Sequence, residues 1–96
     1  MKRISVHLAQ KKISSGAVLI DVRSREEFAE AHAKSAINIP LGELENIDEY
    51  QGKEILFICH SGGRSRMACK KIGRRQLFAI DGGTKAWLDN GLPRGD

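Results

Sequence analysis

A chain of 96 residues with 41% hydrophobic and 29% charged side chains is sized for one globular domain, expected to span 1–96. It leaves no room for a second core, and no segment approaches the roughly 18 consecutive apolar residues of a membrane span. A net charge of +4 is too modest to point to nucleic acid, so neither a nucleic-acid nor a membrane partner is expected.

In chain order, the opening "MKRISVHLAQKKISSG" lacks the continuous apolar stretch of a signal peptide, and a cytoplasmic location is expected. Within it, "SVHLAQKKI" (5–13) sets Val6, Leu8, Ala9 and Ile13 at helical spacing before "SSG" ends the helix. "AVLIDV" (17–22) is a short run of branched apolar residues, the pattern of a strand buried on both faces. Ser24 then caps a helix over 25–31, with Glu27 three residues on completing a capping box and Phe28 turned inward. "SAINIP" (35–40) reads as a short strand closed by a proline. "LGELENIDEYQG" (41–52) spaces Leu41, Leu44 and Ile47 by threes and predicts a short helix with a turn at Gly52. "EILFIC" (54–59) is the strongest strand. "RSRMACKKI" (64–72) is a helix with Ser65, Ala68, Cys69 and Ile72 on one face and cations on the other, ended by Gly73. "LFAI" (77–80) is a last strand, and "DGGTKAWLDNGLP" a turn and a terminal helix with Trp87 in the core. Short strands alternating with helices predict an α/β domain: a small central parallel sheet flanked by helices on both faces.

Charge is unevenly placed. Acids outnumber bases from Asp21 to Glu54, whereas residues 55–80 hold no acid and gather Arg64, Arg66, Lys70, Lys71, Arg74 and Arg75. Such a run is either a solvated helix face or a field that attracts anions. It begins beside Cys59. In parallel sheets ligands collect beyond the carboxyl ends of strands, and Cys59 is such an end. The segment that follows, "HSGGRS", is made of small residues and a cation. Gly62 and Gly63 permit a tight curl, which turns backbone N–H groups toward one point, and the next helix adds its positive end. Ser61 and Ser65 supply hydroxyls, and Arg64 a fork of donors. These favour a thiolate, the reactive form of cysteine. The competing reading is a packing cysteine before an ordinary turn, which the unbroken run of Gly, Ser and Arg disfavours.

"CHSGGRS" strongly resembles the active-site loop of rhodanese domains, the sulfurtransferases. "LIDVRSREEF" (19–28), "HAKSAINIP" (32–40) and "DGGTKAWLDNGLP" (81–93) are similar to further motifs of that family, in the same order. Ser35 stands where the family usually has glycine, and the segment from 64 to 81 is about one helical turn shorter than in many relatives. The resemblance implies a rhodanese-like domain in which Cys59 is the catalytic nucleophile. It would take the outer sulfur of an anionic donor such as thiosulfate as a persulfide and release it to a thiophile, cyanide in assays or a thiol in cells. Neither half-reaction needs a metal or other cofactor. His60, Ser61, Gly62, Gly63, Arg64, Ser65 and Arg66 would bind substrate, with His60 at the entrance. Asp21 and Arg23 would frame the loop from beneath. The partners implied are the sulfur donor, a thiol acceptor and a sulfur-relay protein.

The remaining residues carry less. Cys69 shares the inward helix face and reads as core filler, so no disulfide with Cys59 is expected. His7 and His32 lack ligand partners at metal-binding spacing. Two rivals stand beside the sulfurtransferase. A cysteine-dependent phosphatase or arsenate reductase needs Cys-x5-Arg, and position 65 is serine. A sulfur carrier or docking module needs the same Cys59 and loop as the enzyme.

Overall fold

The computed structural model describes residues 2–45, 47–73 and 76–95; Arg74 and Arg75 of the basic run lie outside them. Five strands form one parallel sheet: β1 (Lys2–Ile4), β2 (Val18–Asp21), β3 (Ile37–Asn38), β4 (Ile55–Ile58) and β5 (Leu77–Ile80), ordered β1-β5-β4-β2-β3. The helices are α1 (Val6–Ser14), α2 (Arg25–Glu30), α3 (Gly63–Ile72) and α4 (Gly83–Asp89). This is the α/β architecture expected, with β4 in the middle of the sheet, paired to β2 on one side and β5 on the other.

Alternation along β4 divides the core into two layers, because successive side chains of a strand point to opposite faces. Ile55, Phe57 and Cys59 pack with Ala68 and Cys69 of α3 and with Leu44 and Ile47. Leu56 and Ile58 pack on the other face with Val6 and Ala9 of α1 and Trp87 of α4. Burial of such side chains, roughly 1.5–3 kcal/mol each, holds the sheet between its helices. The same alternation aims Cys59 at the start of α3.

Several elements depart from the sequence reading, for physical reasons. β1 was not anticipated: only Ile4 of its three residues is buried, since it is an edge strand attached to β5 alone. Residues 41–52 form two 3-10 turns, Leu41–Glu43 and Asp48–Tyr50, in place of a helix. Leu44 and Ile47 are buried there all the same; burial was legible, its backbone was not. The strand read over 35–40 shrinks to two residues, because Ser35 adopts a left-handed φ of 73° and Pro40 offers no N–H. Helix α2 buries no residue. Phe28 is half-buried and stacks on His32, ring centroids 3.7 Å apart. The capping box of Ser24 and Glu27 is formed as its spacing indicates.

The C-terminal segment ties back across the domain. The Trp87 indole N–H donates to the Pro93 carbonyl at 2.7 Å, and the Gly95 N–H to the His32 carbonyl at 2.8 Å. No helix among the described residues is long and apolar enough to cross a membrane.

Candidate active site

Cys59 follows the last residue of β4 and is 1% exposed. The chain then curls through His60 and Ser61, both exposed, to Gly62, whose φ of +124° is open to glycine but strained for other residues. This curl brings the Gly62 N–H to 3.0 Å from the Cys59 sulfur. Burial pushes the Cys59 thiol up. It is outweighed by the Ser65 hydroxyl and the amides of Ser65, Gly62 and Arg64, so the thiol titrates below its ordinary value. The Ser65 hydroxyl is buried and makes no well-formed hydrogen bond to a protein atom. It is thus a donor held close to the sulfur and still available to a charge there. At Cys69, ten residues on, burial dominates and pushes the thiol up to about 11.

The two loop arginines have different surroundings. Arg64 donates through both terminal nitrogens to the Glu27 carboxylate, at 2.7 and 2.9 Å. Those bonds, joined by the Ser24 amide and hydroxyl, overcome burial and hold the Glu27 carboxyl at about 2. Arg66 has no side-chain partner among the described residues, and its Nη1 lies against Gly62, 3.1 Å from where a Cβ there would stand. Among the described residues, the loop cation free to meet an anion is therefore Arg66, with Arg64 latched to α2. Gly63 is the first residue of α3 and is exposed.

Beneath the loop, Asp21 is fully buried at the end of β2. It accepts from the Arg23 amide at 3.0 Å and from its guanidinium at 2.8–3.2 Å, while Arg23 also donates to the Ala31 carbonyl. Asn38 of β3 completes this frame by donating to the carbonyls of Asp21 and Arg23, both at 3.0 Å. The Val22 amide donates to the Ile58 carbonyl at 3.0 Å, joining the frame to the strand that carries Cys59.

Three contributors were not singled out from sequence. Glu27 was read only as a helix cap; an acid at the start of a helix that follows a strand end was the available signal. Asn38 looked like one strand residue among others. Gly83 supports the loop from behind: a Cβ there would overlap the carbonyls of Cys59 and His60, and the next amide, Thr84 N–H, donates to the Cys59 carbonyl at 2.7 Å. The "GG" before α4 was visible, but its contact is tertiary. Among the described residues no group of three or more His, Cys, Asp or Glu side chains could hold a metal ion.

The family described as the rhodanese-like domain matches residues 5–90, which include every residue of this site. The chain belongs to that family. Thiosulfate sulfurtransferase 16, chloroplastic, of Arabidopsis thaliana is 35% identical, over 94% of this chain and 89% of its own. YrkF of Bacillus subtilis, named as a sulfur carrier protein, is 37% identical over 88% of this chain; the match spans about half (49%) of its length. A rhodanese-related protein of Thermoplasma volcanium superposes with a TM-score of 0.85 at 24% identity, over 98% of this chain and 97% of that one, and shares the fold. The family and the names of these relatives support a rhodanese-type sulfur-transfer role for this domain.

Proposed function

We propose that the protein is a sulfurtransferase that carries a sulfane sulfur on Cys59. The observation behind this reading is the Gly62 N–H at 3.0 Å from the buried Cys59 sulfur, in a loop whose amides and Ser65 hydroxyl hold the thiol below its ordinary value. The Cys59 thiolate attacks the outer sulfur of thiosulfate. An S–S bond forms to Sγ, the thiosulfate S–S bond breaks, and its electron pair leaves on sulfite. An acceptor thiolate then attacks the outer sulfur of the persulfide and returns the electron pair to Sγ. The loop amides and the Ser65 hydroxyl face the negative sulfur at each stage, as an oxyanion hole faces oxygen. Arg66 meets the incoming anion. The test is intact mass spectrometry after incubation with thiosulfate: one added sulfur on the wild type, none on Cys59→Ser, and no turnover by that variant.

A second reading, a carrier that receives sulfur from one protein and hands it to another, is favoured by the latch. Glu27 neutralises Arg64, which leaves one free loop cation for a doubly charged donor. The name of the Bacillus relative points the same way. Turnover on thiosulfate compared with turnover on a protein persulfide separates the two.

A further inference from the structure

A cleft of about 280 Å³ opens beside the loop, between α2 and α4. One wall carries Glu27 and Glu30, the other Lys85 and Asp89, with Leu88 and Ala31 supplying apolar surface. His60, adjacent to the nucleophile, lines it, as does Thr84, whose amide holds the Cys59 carbonyl. Its volume lies at the small end of ligand sites and suits a molecule of a few heavy atoms.

Its charges are almost all spoken for. Arg23 at its edge is paired with Asp21, Glu27 with Arg64, and Lys85 with Asp89 at 2.8 Å. Glu30 is the exception: among the described residues its carboxylate has no hydrogen-bond or ion-pair partner, although its backbone carbonyl accepts from Arg94. A second polar group is also unsatisfied. Thr84, which lines the cleft, is 3% exposed, and its buried hydroxyl has no partner among the described residues, leaving a donor and an acceptor idle. One unpaired negative charge, an idle hydroxyl and a strip of apolar surface, next to the nucleophile, match a small molecule with an ammonium at one end and a short alkyl chain.

We propose that this cleft is the acceptor subsite and that it selects small thiols bearing a protonated amine, the ammonium resting on the Glu30 carboxylate. The inference rests on the persulfide at Cys59 proposed above. In the step served, the amino thiol's thiolate attacks the outer sulfur and a new S–S bond forms. The Sγ–S bond breaks with its electron pair returning to Sγ, and the outer sulfur departs as the acceptor's persulfide; nothing is oxidised or reduced overall. Glu30 acts by placing the acceptor, at a distance from the reacting sulfurs.

The test loads Cys59 with thiosulfate or, separately, inorganic polysulfide, removes the excess, and follows loss of the added sulfur by mass. Three thiols of similar length are the acceptors: cysteamine, 2-mercaptoethanol and 3-mercaptopropionate, each rate referred to its thiolate concentration. Wild type should favour cysteamine over mercaptoethanol about threefold, the size of an exposed charge pair, and disfavour mercaptopropionate. Glu30→Gln, a surface change remote from the core, should level the three, and Glu30→Lys should reverse their order. Equal rates in the wild type, or an order unchanged in Glu30→Lys, would overturn the subsite while the persulfide reading stands. Failure of both donors to load Cys59 would overturn both.

Discussion

At Cys59, burial and hydrogen bonding oppose one another and hydrogen bonding wins, while at Cys69 burial prevails with no hydrogen bond against it. A neutral alkylating reagent should therefore modify Cys59 with a midpoint below an ordinary thiol, and Cys69 only near pH 11 or on unfolding. A shared midpoint, read by peptide mass mapping across pH, would mean that the loop does not discriminate between them. Glu27 yields a second prediction. Its carboxyl is held at about 2, against 4.5 for a free group, so the folded state binds its proton more weakly than the unfolded state does. The stabilisation is complete above about 4.5 and is lost as pH falls toward 2. Since both partners are more than a third exposed, solvent screening keeps it small, about 0.5–1 kcal/mol. Glu27→Gln should cost that much at pH 7 and almost nothing at pH 2, measured by urea unfolding of both proteins.

Between elements, the tightest constraint is where α4 meets the catalytic loop. Gly83→Ala puts a methyl group into the carbonyls of Cys59 and His60 at a φ of +56°, and backbone has no rotamer with which to yield. A loss of about 2–4 kcal/mol and a large fall in sulfur transfer are expected; thermal unfolding and assay together check it. Ser35 predicts the opposite sign. It occupies left-handed backbone at φ 73°, and Ser35→Gly should gain about 0.5–1 kcal/mol by relieving that strain, read from the unfolding midpoint. These two residues also mark what the sequence reveals. The strands β2, β4 and β5 are continuous apolar runs and were legible, as was the loop, because its chemistry lies in adjacent residues. The latch of Glu27 to Arg64 and the support from Gly83 join residues distant along the chain, which no local pattern encodes. β1 failed for a related reason: "KRI" has the composition of solvent-facing chain, and only its pairing with β5 makes it a strand.

Across the molecule, the absence of acids from 55 to 80 places Arg66, Lys70 and Lys71 along α3, on the same side of the sheet as the loop. Capture of thiosulfate should slow as salt is raised, since screening acts over about 8 Å at physiological ionic strength. Arg66→Ala should weaken capture in high salt too, whereas neutralising Lys70 and Lys71 together should matter only in dilute buffer. A rate indifferent to salt would reduce α3 to a solvated face. The strand order has a consequence of another kind, for the chain as it is synthesised. β1 precedes the other four strands, yet among the described residues it pairs with β5 alone, Lys2 lying opposite Phe78 and Ile4 opposite Ile80. β4 likewise has only β2 beside it until β5 arrives. A growing chain halted after residue 72 would display Cys59 at the end of a half-paired strand, without Gly83 and Thr84 behind its loop. The nucleophile is thus assembled from its two sides at different moments, and the arrival of β5 and α4 decides when its sulfur is sheltered from oxidants.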